Sequence, residues 1–208
     1  LEGVSLMEGI KAELVGFTPD YMKILQLSAG KCYGNEVSYK GIQSIINSGH
    51  LSVLEHCNAI FDVNCSIAVL GQLTRHRHLS FTVKSARGSE FEKFINPYYF
   101  DDLEKEIWLE DSMDRAMDNY KTALAKGVPY ENARYLLPQG VQTSLIVSGN
   151  FRAWFEYLGK RLCDRAMPEH RQLAEIIHTQ LLLKVPEVFN RDFKNCKDCK
   201  EKGCSFYG

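Results

Sequence analysis

No stretch of this chain approaches the roughly 20 consecutive apolar residues that cross a bilayer, which argues against a membrane-spanning helix. Fifteen Gly and six Pro in 208 residues are too few for a fibrous or disordered protein. Neither sign of charge dominates. The 25 Lys+Arg and 26 Asp+Glu leave a net charge of -1, which argues against a general polyanion or nucleic-acid binder. Residues 1–6 lack the basic and long apolar stretches of a secretory signal and read as a cloning remnant ahead of Met7. With 45% hydrophobic and 25% charged residues, the remaining expectation is a soluble, cytoplasmic protein. One domain with a sizeable core should occupy 7–190, and a Cys-rich tail 191–208.

Seven Cys is an odd number, and without a secretion signal most should be free thiols in a reducing compartment. Cys32, Cys57, Cys65 and Cys163 lie among apolar residues and are expected as small buried hydrophobes. The tail carries Cys196-x2-Cys199-x4-Cys204. A closed zinc site needs a fourth ligand and no His follows, so no metal is assigned and free thiols are the default.

Thr18-Pro19-Asp20 predicts a helix capped by Thr18, with Met22, Leu25, Leu27 and Ala29 on a buried face and an end near Gly30. Lys40 to Asn47 predicts a short helix closed by Gly49. From Asn58 the period becomes two, with Ala59, Phe61, Val63 and Cys65 inward, as a strand requires. Ser66 then caps a helix running into Arg75-His76-Arg77, and Ser80 to Arg87 reads as extended. Helices are expected over Glu104–Lys126, about Pro129–Leu137, Asn150 to about Cys163, and Met167–Lys184, with a strand over Val141–Gly149. Strands and helices do not alternate regularly, so the fold class is α+β, a single mixed domain with a sheet flanked by helices.

Three polar constellations stand out. Arg75-His76-Arg77-His78, followed by Ser80, Thr82, Lys84, Ser85 and Arg87, combines forks, point charges and hydroxyls, the donor set that phosphates require. On a helix Arg75 and Arg77 would diverge by about 200°, which suits two ligands; on a strand Ser85 and Arg87 would share a face. Composition alone favours the plainer reading, a solvated basic surface patch. Asn150 and Arg161 fall on one side of a single helix about 16 Å apart, and Arg152 and Glu156 form an i,i+4 pair. A capping Asn and a surface ion pair are the plainer account. His50-x-Ser52-x-x-Glu55-His56 could hold a base, a ligand or a capped turn, without the spacing of a helical metal motif.

Together these segments resemble a known family. Arg75-His76-Arg77, seven residues, then Ser85 is similar to the R-H-R-x7-S signature of the flavin-dependent thymidylate synthases, the ThyX family. His50-x4-Glu55-His56, Gln72-x-x-Arg75, Ala133-Arg134-x3-Pro138, Asn150-x-Arg152 and Arg161-Leu162-Cys163 follow in the family's order, over about residues 10 to 190. The resemblance implies a ThyX-like α+β fold and a homotetramer sharing its active sites. It implies reductive methylation of dUMP to dTMP, with methylenetetrahydrofolate as carbon donor and FAD reduced by NADPH as hydride source. By position, Gln72, Arg75, Ser85, Arg87, Arg134 and Arg161 match residues that hold the nucleotide. Ser52, Arg75, His76, Arg77, Asn150 and Arg152 match those around FAD, and Glu156 stands where an amide touching the flavin is common. Arg161 matches the residue held to favour ionisation of uracil at N3. Ser85, among Arg and Lys and with no base placed to activate it, is assigned to binding. Val83, Thr82, Gly88 and Gly30 depart from the family's usual residues. A relative that binds nucleotide and flavin but has lost turnover is the alternative.

Overall fold

A computed structural model describes residues 7–96, 102–194, 196, 199 and 204. In chain order the elements are strand β1 (Lys11–Phe17), helices α1 (Tyr21–Tyr33) and α2 (Tyr39–Asn47), a 3-10 turn (Leu51–His56), strand β2 (Asn58–Ser66) and helix α3 (Ile67–Leu73). There follow strand β3 (Ser80–Val83), helices α4 (Leu103–Ala125) and α5 (Tyr130–Ala133), and a second 3-10 turn (Arg134–Leu136). Strand β4 (Gln142–Asn150) then leads into α6 (Phe151–Arg161), α7 (Pro168–Lys184) and α8 (Pro186–Phe189).

The period-two residues build the centre. The four strands form an antiparallel sheet in the order β1-β2-β4-β3. Opposed pairs such as Ala12 with Val63, Phe61 with Val147, and Val63 with Leu145 put one face into the core. Ile60, Asp62 and Ile146 turn to the other, exposed face, as a repeat of two dictates. Helices α1, α2, α6 and α7 bury Leu25, Ile42, Trp154 and Leu173 in the same core. A smaller cluster of Phe91, Met117, Tyr120, Ala133 and Val141 forms beneath α4. The mixed α+β architecture, a sheet flanked by helices, is as expected. Among the described residues no helix is long and apolar enough to cross a membrane.

Several expectations are corrected. Thr18 does not cap α1: its hydroxyl accepts from the Asn58 N–H at 2.8 Å, and Asp20 in a left-handed conformation precedes the helix. That helix passes Gly30 and ends at Gly34, whose positive φ of 72° is the stopping conformation. Gly30 serves a different need, since a Cβ there would lie 2.9 Å from the Asn35 carbonyl oxygen. Leu27 is exposed although Leu25 and Ala29 are buried. Strand β3 ends at Val83, so Ser85 and Arg87 share a turn and not a strand face; the Gly88 N–H donates to the Ser85 carbonyl at 3.3 Å. Helix α3 stops at Leu73, before the Arg75-His76-Arg77 segment. Pro129–Leu137 is one α-turn followed by a 3-10 turn. Strand β1 was not anticipated, because its alternation breaks at a register shift between Leu14 and Gly16. Cys32 is exposed and Cys163 half-buried, unlike the buried Cys57 and Cys65.

One contact sets α7 against α3. Ser66 caps α3 by accepting from the Val69 N–H at 3.1 Å, while its own N–H and hydroxyl donate to the buried Glu169 carboxylate at 2.8 and 2.7 Å. Burial raises the Glu169 carboxyl above its ordinary range, and the two Ser66 bonds oppose the rise. The clamp fixes the start of α7, so the next residue, His170, faces the end of α3. Ser66→Ala removes the cap and one of these bonds and should cost about 2 kcal/mol in urea unfolding. A change below about 0.5 kcal/mol, the level of an ordinary surface substitution, would show that the clamp contributes little.

Candidate active site

Helix α6 is the axis of the candidate site. The Asn150 side-chain oxygen Oδ1 accepts from the Ala153 N–H at 2.8 Å, which caps the start of the helix. Phe151, Trp154, Tyr157 and Leu158, at helical spacing, bury one face against the sheet. The Trp154 indole donates to the Ala59 carbonyl at 3.1 Å, and its ring meets Phe61 edge-on at 5.0 Å. The helix is thereby held so that Arg161 emerges in its last turn, the end where a cation is favoured.

Among the described residues, every acceptor around Arg161 is neutral. Its Nε donates to His76 Nε2 at 2.9 Å, and its two terminal nitrogens donate to the Gln72 side-chain and main-chain oxygens at 3.2 and 3.1 Å. No carboxylate pairs with it among the described residues. Burial pulls its guanidinium below the usual range, yet Arg remains charged at ordinary pH. Behind this cradle the Tyr157 ring packs 5.0 Å from His76 and 5.7 Å from His170. Burial, then Arg161 and Lys160, holds His76 down at about 4; burial, then Arg161 and His76, holds His170 at about 3. Both imidazoles are therefore neutral near pH 7, and His76 can accept from Arg161.

The other end of α6 has the opposite character. Arg152 is gripped by Glu156, at 3.0 Å from its Nε, and by Glu55 of the first 3-10 turn. The Glu55 bond, then the Glu156 bond, raises the Arg152 guanidinium. With His78, Asn150 and Ala153 these residues line a cleft of about 200 Å³. The Arg75 to His78 segment thus runs alongside α6, with His76 at the Arg161 end and His78 at the Arg152 end. Leu79 anchors it: a Cβ on Gly149 would come within 2.4 Å of the Leu79 side chain, so glycine permits the close approach. Arg75 and Arg77 are exposed, with no carboxylate partner among the described residues, and Ser52 is exposed on its 3-10 turn. Glu55 is committed to Arg152, and among the described residues no group of three His, Cys, Asp or Glu is arranged to hold a metal.

Ser85, Arg87 and Arg134 form a third group. Arg87 pairs with Glu131 of α5 at 3.2 Å, the Arg134 Nε donates to the Glu131 carbonyl at 3.0 Å, and Ser85 Oγ accepts from the Arg87 N–H at 3.3 Å. No hydrogen bond or ion pair among the described residues joins this group to Arg161. The sequence reasoning passed over His170 and Tyr157. Each sat in an amphipathic helix, where helical spacing marks a residue as inward but does not say which polar group it meets.

Fold and site define a class: an α+β protein in which Arg161 at the end of one helix, and Arg75 and Arg77 in the segment beside it, have no carboxylate partner among the described residues. Comparison with known proteins then supplies the family. Residues 13–187 match the model of the Thy1 family, the thymidylate synthase complementing protein. The chain is 33% identical over 207 residues to the flavin-dependent thymidylate synthase of Saccharolobus solfataricus, covering 90% of this chain and 78% of that protein. It is 32% identical over 214 residues to the protein of that name from Geobacter sulfurreducens, covering 93% and 92%. The same name belongs to a Sulfurisphaera tokodaii relative, 32% identical over 204 residues. The chain belongs to the flavin-dependent thymidylate synthase family and is an enzyme of that family.

The two neutral histidines carry a pH dependence. An unfolded chain protonates both near the ordinary histidine value of about 6.5, whereas the folded chain resists to about 4 and 3. Their contribution to stability is complete above about pH 6.5 and is lost as pH falls through the folded values. The urea midpoint should decline between pH 6.5 and 4, less steeply in His170→Leu. A flat midpoint across that interval would contradict the neutral cradle.

Proposed function

We propose that the protein converts dUMP to dTMP by reductive methylation, taking the carbon from methylenetetrahydrofolate and the hydride from FAD reduced by NADPH. The observation that carries this reading is Arg161, a half-buried guanidinium held, among the described residues, by neutral acceptors alone. Its charge is free to be met by a ligand. Carbon 5 of uracil is a poor nucleophile until its ring becomes electron-rich, and a fixed cation beside the pyrimidine stabilises negative charge as it develops there. Arg161 is the catalytic residue in this account. Gln72 and His76 hold it in position, with Gln72 also at the nucleotide edge.

Arg75 lies between the two ligands, and Ser85, Arg87 and Arg134 bind the nucleotide, the arginines as forks toward phosphate. Around the flavin we place Ser52, Arg75, His76, Arg77, Asn150, Arg152 and Glu156. The donor set fits such a group: Arg75 and Arg77 are exposed in the segment that leads to His78 of the cleft and have no carboxylate partner among the described residues, which suits a pyrophosphate. Bound there, the flavin supplies the hydride, while the protein supplies orientation and charge. The domain is taken as residues 7–190, with 191–208 as a tail.

Self-association into a homotetramer completes the site. Two features support it: among the described residues no hydrogen bond or ion pair joins the Ser85, Arg87 and Arg134 group to Arg161, and large apolar side chains are exposed, among them Tyr135 beside Arg134 at 82% and Trp108 at 66% exposed. A cytoplasmic location is part of the same proposal.

The testing experiment is anaerobic. Reduced flavoprotein should be reoxidised, with dTMP formed, only when dUMP and methylenetetrahydrofolate are both present. Flavin binding without dTMP formation would sink the reading and leave a binding protein without turnover. Arg161→Ala should lower dTMP formation by at least about a hundredfold with FAD still bound, the scale of losing one preorganised electrostatic donor. Near-normal turnover in that variant would refute its role. Ser85→Ala should raise the KM for dUMP about tenfold, the scale of one hydrogen bond to a charged group, with kcat little changed. Complete loss of kcat would restore Ser85 as a nucleophile.

A further inference from the structure

His170 is wholly buried near the start of α7, and none of the roles above uses it. Among the described residues its one hydrogen-bonding contact is from Nδ1 to the Gln72 side-chain oxygen, at 3.4 Å, and its other nitrogen, Nε2, is buried without a partner. An apolar side chain of similar size would fill this space without desolvating a ring nitrogen, a cost of about 1–3 kcal/mol. Beside its ring contacts with Tyr157 and His76, the polar contact that can offset this cost is the one at Nδ1.

That contact has one consistent protonation pattern. Arg161 can only donate, so the Gln72 amide must turn its oxygen toward the guanidinium. The amide nitrogen then points to the Met167 sulfur at 3.3 Å, a weak acceptor that hardly favours this orientation over the flipped one. The same Gln72 oxygen faces His170 Nδ1, so a neutral His170 must carry its hydrogen there and leave Nε2 bare. The titratable groups that face the ring are His76, Tyr157 and Arg161. Deep burial, then Arg161 and His76, keeps His170 neutral, in the tautomer that donates to Gln72.

We propose that His170 is a positioning residue: its Nδ1–H locks the Gln72 amide with the oxygen toward Arg161 and so holds the guanidinium where the pyrimidine is met. Without that donor the amide can flip and turn an N–H against the guanidinium. Arg161 would then lose one of its three acceptors and swing. The clamp between Glu169 and Ser66 is what delivers His170 to this point, since it registers the first turn of α7 against α3.

The inference rests on the reading of Arg161 as a nucleotide contact, and the test separates the two. An Asn side chain can place an N–H where His carries Nδ1, whereas Gln places it where His carries Nε2. FAD-loaded wild type, His170→Asn, His170→Gln and His170→Leu are titrated calorimetrically with dUMP, and their thermal midpoints are recorded. His170→Asn should bind within about threefold of wild type, while Gln and Leu weaken dUMP about tenfold, the scale of one lost charge-assisted bond. If the Leu variant fails to fold, the Asn and Gln pair alone decides, because both carry the same amide. Equal affinity of the Asn and Gln variants, or a folded Leu variant matching wild type, overturns the role of His170. Failure of the wild-type protein itself to bind dUMP overturns the functional reading instead.

Discussion

The structure turns on a cation held by neutral groups. Pairing Arg161 with a carboxylate would have been the ordinary way to stabilise a half-buried guanidinium. Here the acceptors are an imidazole, an amide oxygen and a main-chain carbonyl. Each stabilises the charge without cancelling it. The arrangement requires two histidines to remain uncharged, which burial and the field of Arg161 itself enforce. It also requires α3, α6 and α7 to converge, which the Trp154 anchor and the Glu169 clamp achieve.

Arg152 shows the contrast. It lies at the opposite end of the same helix, about 40% exposed, and two carboxylates neutralise it. An ion pair of that exposure adds little to stability. Its effect is to limit how much positive charge the cleft presents, leaving α6 with an ion-paired arginine at one end and, among the described residues, an arginine without a carboxylate partner at the other. Net neutrality of the chain conceals this local asymmetry. The arginines proposed for the site are concentrated on and beside α6 and in the turn after β3, with Arg134 next to that turn's partner Glu131.

Much of the fold was legible because the patterns are strict. Ala59, Phe61, Val63 and Cys65 alternate without a break and became β2; Ser66 and Asn150 cap the helices expected of them. Where a pattern is interrupted, sequence reasoning faltered. Strand β1 carries a register shift, Asp20 enters α1 in a left-handed conformation, and the Ser80 to Arg87 segment turns after four residues. The site was legible as a set of residue types in family order. Its energetics were not: nothing in the string of letters says that Glu55 will meet Arg152, or that His170 will reach Gln72 from 98 residues away. Those pairings are properties of the packed helices.

The central claim is that the uncompensated charge of Arg161 stabilises negative charge on the pyrimidine. It is tested most directly on the ligand itself, by following the N3 position of isotopically labelled dUMP by NMR as pH is raised, free and bound to the FAD-loaded protein. The account predicts that N3 gives up its proton at a lower pH when bound to the wild-type protein than when free, and that the difference vanishes with Arg161→Ala. An N3 titration unchanged by binding to the wild-type protein would contradict it.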